Sequence, residues 1–136
     1  MDRISPRRRS ANMRAIRSKG TKPELEVRRL VYAMGYRYRL HARDLPGKPD
    51  LVFRKKSKAI FVHGCFWHQH PSSKCRDARL PKSRQDYWHK KLWQNVARDK
   101  TNIRRLRRSG WSVLVVWECQ LRHPATLALR LAAFLA

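Results

Sequence analysis

The chain predicts an α/β domain, a mixed β-sheet flanked by helices. Three observations carry that prediction. Short apolar runs of strand length alternate with longer stretches whose apolar residues recur at helical spacing. Residues 111–117, WSVLVVW, are apolar almost throughout and read as a central strand covered on both faces. Residues 59–75, AIFVHGCFWHQHPSSKC, begin as a buried strand and end in a polar loop of cysteines and histidines.

The length, 136 residues, suits one hydrophobic core. Thirty-three Lys and Arg against nine acids give a net charge of +24, which self-repels and calls for a polyanionic partner. No apolar run approaches the ~20 residues of a membrane span, and the N-terminus lacks the apolar segment of a secretory signal. Nucleic acid is therefore the expected partner. Three cysteines at metal-like spacing point to a reducing cytoplasm rather than a disulfide framework.

In chain order, residues 1–20 carry seven Lys or Arg and one acid, and read as a basic arm that orders against phosphate. A solvated tail accounts equally well for the first nine. Residues 21–136 form the single folded domain. Thr21, Pro23 and Glu24 open a helix with Thr21 as N-cap. Leu25, Val27, Leu30, Val31 and Met34 form its apolar stripe, and Gly35 stops it. Residues 36–40 alternate as a strand with one wet face. The turn 45–49 leads to a second strand at 50–53, and a basic turn at 55–58 returns the chain into 59–62. Ser83 and Asp86 make a capping box for a long helix that ends at Gly110, with Trp88, Leu92, Val96, Ile103 and Leu106 on its buried face. Its remaining faces are almost uniformly basic, which favours phosphate contact over a merely solvated surface. Residues 124–135 close the fold as an apolar helix.

Cys65, His70 and Cys75, spaced Cys-x4-His-x4-Cys, offer three of the four ligands of a structural zinc site. Cys119, directly after the strand 111–117, is the candidate fourth, so that one metal would staple two strand ends. The plain alternative, cysteine as a small buried apolar residue, fits a polar His-rich loop poorly.

Phosphodiester hydrolysis needs a divalent cation, a base to activate water and stabilisation of the charged phosphate. Asp50, opening a strand after Pro49, can hold the cation, although turn chemistry explains most Pro-Asp pairs. His68 or His63 can act as base, since a free imidazole titrates near neutral pH. Asp99, a lone acid late in a basic helix, is a candidate to orient it. Glu24 is either a helix-capping carboxylate or an acid beside the metal. Phe66 and Trp67, adjacent aromatics at the tip of the Cys/His loop, suit stacking on bases or wedging between them. Trp88 joins them or lies in the core.

The segments ANMRAIRSKGTKPE, LPGKPDLVF, IFVHGCFWHQH, NVARD and GWSVLVVWEC resemble, in order and spacing, the very-short-patch-repair (Vsr) mismatch endonucleases. The resemblance runs from about residue 9 to Arg122. It implies a restriction-endonuclease-like fold and an Mg²⁺-dependent enzyme that nicks one strand 5′ to the thymine of a T:G mismatch left by deamination of 5-methylcytosine. By position it implies that Asp50 binds Mg²⁺ with the main-chain carbonyl of Val62. It makes His68 the general base, Asp99 its carboxylate partner and Glu24 the active-site glutamate of the first helix. His63 would stabilise the charged phosphate. Cys65, His70, Cys75 and Cys119 resemble the structural Zn²⁺ ligands, and Phe66, Trp67 and Trp88 the aromatic wedge that enters the duplex. Implied partners are mismatched double-stranded DNA and mismatch-repair proteins, in a bacterial, nucleoid-associated setting and with a monomer sufficing for a single nick. Gln69 departs from the family's His-rich run, and the loop before Cys75 is longer by two residues, which bears on the zinc geometry. A same-fold nuclease acting on another lesion or site, or a zinc-stapled DNA-binding module without catalysis, remains an alternative. The joint presence of Asp50, His63, His68 and Asp99 speaks against the latter.

Overall fold

A computed structural model of the chain describes residues 21–72 and 74–136; the basic arm expected at 1–20 lies outside the described residues. Helix α1 spans Lys22–Ala33 and buries Val27 and Val31, four residues apart and so on one face. Leu25, expected in that stripe, lies off this face and is exposed. Thr21 holds the extended N-cap conformation, but its side chain makes no capping hydrogen bond. Pro23 in the first turn needs no donor partner, so the helix starts without that cap. Gly35, past the last turn, takes φ +93°, the left-handed stop that glycine adopts without a Cβ penalty.

The expected first strand contracts to β1, Arg39–Leu40, because its partner β2 is only Leu51–Phe53. The two pair antiparallel, Arg39 opposite Val52 and Leu40 opposite Leu51. Tyr36 and Tyr38 pack against the core instead of pairing. Asp50 thus lies just before β2 rather than inside it. A single 3₁₀ turn, Arg54–Lys56, and Ser57 in the left-handed region (φ +53°) return the chain into β3, Lys58–His63. Leu51 then faces Ile60.

The long helix α2 runs Gln85–Arg108. The expected Ser83 capping box does not form: the N-cap is Arg84, held at φ +56° with its guanidinium over the Tyr87 ring at 4.8 Å, and no side chain caps the helix. Leu92 and Leu106 are its buried residues, with Trp88, Val96 and Ile103 half-buried. Strand β4, Ser112–Trp117, pairs parallel with β3. Among the described residues the sheet order is β1-β2-β3-β4, so β4 is an edge strand, not the central one its composition suggests. Only Val116 is fully buried there. The continuous apolar run arises because each face of this edge is half-covered, Leu114 and Val116 by the main core and the opposite residues by α2.

A final helix, α3 (Pro124–Leu135), buries Leu127, Leu131 and Leu135 at successive turns. These join Val27 and Val31 of α1 against Leu51, Phe53, Ile60 and Val116 to form the core. The alternate residues of β3, Phe61 and His63, point to the other face, toward α2. There Gly47 packs closely: a Cβ on it would lie 3.0 Å from the Asn102 Cβ and 3.1 Å from the Phe61 ring. The start of β2 and the ends of β3 and β4 therefore lie at one end of the sheet, roofed by α2. No helix among the described residues is long and apolar enough to cross a membrane.

Candidate active site and metal centre

That end of the sheet opens into a cleft of about 1010 Å³, lined by Glu24, His41, Asp50, Val62, His63, Phe66, Trp67, His68, Asp99 and their neighbours. Asp50 reaches it from the residue before β2. Its Oδ2 accepts a hydrogen bond from the Val62 N–H at 2.7 Å, which ties it to the penultimate residue of β3. Burial raises its carboxyl to about 6, because desolvation disfavours the charged form. The Val62 N–H opposes this, and the neighbouring Glu24 charge adds to it. Glu24, on the first turn of α1, is itself only 3% exposed. Its Oε1 accepts hydrogen bonds from Arg28 at 3.0 Å and from His41 Nε2. Ligand atoms of Glu24, His41 and Asp50 all lie within 4.8 Å of one another. A buried and a half-buried acid with an imidazole at one point suit a hard divalent cation that keeps part of its water shell.

On the other side of the cleft, His68 Nδ1 is 2.6 Å from Asp99 Oδ2 of α2. With Nδ1–H donated to the carboxylate, Nε2 is the basic nitrogen. The His63 ring stacks on His68, centroids 3.9 Å apart and planes within 6°. Burial drives the His63 imidazole down to about 3, and the adjacent His68 pushes the same way. His63 is therefore neutral, and anything it gives a phosphate is a hydrogen bond, not a positive charge. Its Nδ1 is buried without a partner among the described residues.

Beyond Gly64 the chain makes a tight loop. Cys65, His70, Cys75 and Cys119 place one ligand atom each within 4.8 Å of all the others. His70 Nδ1 is 3.8 Å from Cys65 Sγ and 3.4 Å from Cys119 Sγ. A tetrahedral site with Zn–S bonds of ~2.3 Å separates its ligands by roughly 3.8 Å, so the donor set fits Zn²⁺ in chemistry and spacing. Burial pushes the Cys65 and Cys119 thiols up and the His70 imidazole down. Such groups stay neutral until a cation draws off the thiol protons. The longer loop before Cys75 still delivers its sulfur, and Gln69 braces it by donating to the Phe66 and Ala78 carbonyls at 2.7 and 3.1 Å.

Phe66, Trp67 and Trp88 form one half-buried cluster beside the cleft. Their centroids lie 5.0 Å (Phe66–Trp67), 5.3 Å (Phe66–Trp88) and 6.2 Å (Trp67–Trp88) apart, all edge to face. The Trp67 carbonyl accepts from Asn95 of α2 at 3.1 Å.

Sequence reasoning missed four contributors. His41 falls between the expected strand at 36–40 and the turn at 45–49 and carries no motif. Asn95 sits inside the NVARD block without chemistry of its own. Glu118 accepts the Cys65 N–H at 3.2 Å, and Trp117 stacks on His70 at 4.4 Å and meets His63 edge-on at 5.1 Å. The position of these last two at the end of β4 was the available signal.

Two comparisons with known proteins bear on this cleft. Residues 1–74 match the family described as DNA mismatch endonuclease Vsr. The chain is 51% identical over 130 residues to the type II nicking enzyme V.XorIIP of Xanthomonas oryzae pv. oryzae, covering 96% of this chain and 93% of that one. The chain belongs to the Vsr endonuclease family. It is also 43% identical over 114 residues to the DNA mismatch endonuclease Vsr of Escherichia coli, covering 84% of this chain and 71% of that protein. A third relative, the nicking enzyme V.NmeAIP of Neisseria meningitidis, is 41% identical over 130 residues, 96% of this chain and 91% of its own. Membership in the Vsr family makes the chain a DNA endonuclease.

Proposed function

We propose that this enzyme nicks one strand of duplex DNA 5′ to the thymine of a T:G mismatch arising from 5-methylcytosine deamination, with Mg²⁺ as the catalytic ion and Zn²⁺ as a structural one. The observation that carries the proposal is the meeting of the Asp50 acid cluster, the His68–Asp99 couple and the Phe66–Trp67 pair in one cleft, with Trp88 packed against that pair. In this reading Asp50 and the Val62 carbonyl hold Mg²⁺, which supplies charge neutralisation at the phosphate when bound. Asp99 keeps His68 in the tautomer whose Nε2 takes a proton from the attacking water. The neutral His63 stacked on it stabilises the phosphate as a hydrogen-bond donor and lets His68 become cationic without a like charge against its face. Cys65, His70, Cys75 and Cys119 hold Zn²⁺ and so fix the loop that carries His68.

The aromatic cluster supports mismatch recognition: edge-to-face rings beside a hydrolytic site can enter a weakened base step. Along α2, Lys100, Arg104, Arg107 and Arg108 line a shallow groove of about 560 Å³ that shares Ile103 with the cleft, suited to the phosphates of a seated duplex. A monomer suffices for one nick, in the bacterial cytoplasm near the nucleoid and within reach of mismatch-repair proteins. The basic residues 1–20 would add phosphate contacts as an arm of the single domain 21–136.

The test is strand-specific cleavage of a labelled duplex with one T:G mismatch, beside its matched counterpart and a control without Mg²⁺. A single Mg²⁺-dependent nick 5′ to the mismatched thymine is expected. Equal cutting of both duplexes keeps the nuclease and discards the mismatch reading. Trp67→Ala is expected to reduce the preference for mismatched over matched duplex. The stacking energy of about 1–3 kcal/mol per base corresponds to roughly 5- to 150-fold. Competition binding on the two duplexes measures it, and equal losses on both would remove the wedge role.

A further inference from the structure

We infer that His41 is a positioning residue of the active site, holding Glu24 in place beside Asp50. The inference rests on the proposed role of Asp50, and on Glu24 as the active-site glutamate that the family resemblance implies, and extends them to a residue that neither motif nor composition points to.

Three independent features converge on His41. Its backbone is in the left-handed region, φ +47°, which is uncommon for a residue with a Cβ. Its main-chain N–H donates to the Asp50 carbonyl at 3.3 Å, continuing the β1–β2 ladder by one step beyond the strands. Its ring then turns into the cleft, where Nε2 meets Glu24 Oε1. One residue thus clasps Asp50 through its main chain and Glu24 through its side chain. Glu24 is on α1 and Asp50 precedes β2, so this links two elements whose mutual position sets the distance between the acids.

Arg28 bonds the same Glu24 oxygen at 3.0 Å, one helical turn on. Arg28 and Glu24 share α1, and their contact orients the carboxylate relative to the helix alone. His41 comes from the sheet and orients it relative to Asp50. Residues that orient the groups around a metal site commonly matter in this way.

The experiment uses the full chain with His41→Ala, His41→Gln and Glu24→Gln, singly and with the two sites combined. Gln places a side-chain N–H near the position of His Nε2, so it supplies the donor without the ring. Single-turnover nicking is read on whichever duplex the wild type cuts, so failure of the mismatch reading leaves this test intact. His41→Ala is expected to lower the rate by roughly 10- to 100-fold while duplex affinity without Mg²⁺ stays within about twofold. His41→Gln should recover most of the rate. In the Glu24→Gln background His41→Ala should cost little more, because the two act as one unit. A second readout needs no catalysis: the rise in melting temperature produced by Mg²⁺ alone should shrink in His41→Ala as it does in Glu24→Gln. A wild-type rate in His41→Ala, fully additive losses, or an equal Mg²⁺-induced rise in wild type and His41→Ala would each overturn the assignment.

Discussion

Replacing Asp50 with asparagine is expected to abolish Mg²⁺-dependent nicking while leaving the fold and DNA binding in place. Asparagine keeps the side-chain oxygen that accepts the Val62 N–H at 2.7 Å. It removes the negative charge that would hold the cation. Loss of several kcal/mol of charge stabilisation at the phosphate corresponds to a rate reduction of roughly 10³-fold or more. Duplex affinity should hold or rise, because one anion has left the cleft proposed to receive the phosphate. Single-turnover cleavage and gel-shift titration read the two quantities separately. A normal rate in Asp50→Asn would remove Asp50 from the metal site.

The same carboxyl predicts a pH dependence whose sign is fixed by burial. Its folded value, about 6, lies above the ordinary 3.8. Between these values the folded protein holds more proton than the unfolded chain, so metal-free stability falls as pH rises from about 4 to about 6. Below about 6 the cation must displace that proton. The Mg²⁺ concentration for half-maximal nicking should then rise by about tenfold per pH unit lost. In Asp50→Asn the fall in stability across this window should flatten.

Removal of zinc is the second change with a large expected effect, on stability first and activity as a consequence. Structural zinc in small sites contributes apparent binding energies of about 10–16 kcal/mol, as large as the whole stability of a typical domain, about 5–15 kcal/mol. Cys65 and Cys75 lie on the loop and Cys119 just past β4, so the proposed zinc would join segments whose covalent link is the long crossover through α2. Cys119→Ser is expected to lose the bound zinc and at least about 10 °C of melting temperature, and a strong chelator should do the same to the wild type. Nicking should fall with it, because the loop also carries Phe66, Trp67 and His68. Metal analysis and thermal denaturation decide the matter together: full zinc content in Cys119→Ser would take that cysteine out of the site.

Much of the architecture was legible from periodicity. Strands at 51–53 and 59–62 and helices at 22–33, 85–108 and 124–135 follow from apolar spacing, because a buried face repeats every two or every 3.6 residues. The resemblance carried by the quoted blocks also identified the family correctly. Capping and sheet order were less legible. Thr21 and Ser83 have the right chemistry to cap, but whether they do depends on backbone angles, such as Arg84 at φ +56°, that local composition does not express. The run 111–117 looked central because both its faces touch something apolar. An edge strand half-covered by α2 and by the core presents the same composition.

The candidate site divides in the same way. Ligand types and loop spacing brought out Cys65, His70 and Cys75, while Asp50 and His63 drew notice where a strand begins or ends and His68 in the loop beyond, their roles coming from the resemblance. Only the tertiary structure decided that Cys119, 44 residues beyond Cys75, brings its sulfur to the same point, and that Asp99 reaches His68 from the roof of the cleft. It alone placed His41 against Glu24, across seventeen residues and two elements. Periodicity and motif describe what a residue is and which way its own element turns it. Contact between elements is set by how β2, β3, β4 and α2 pack, and that packing is a property of the whole core.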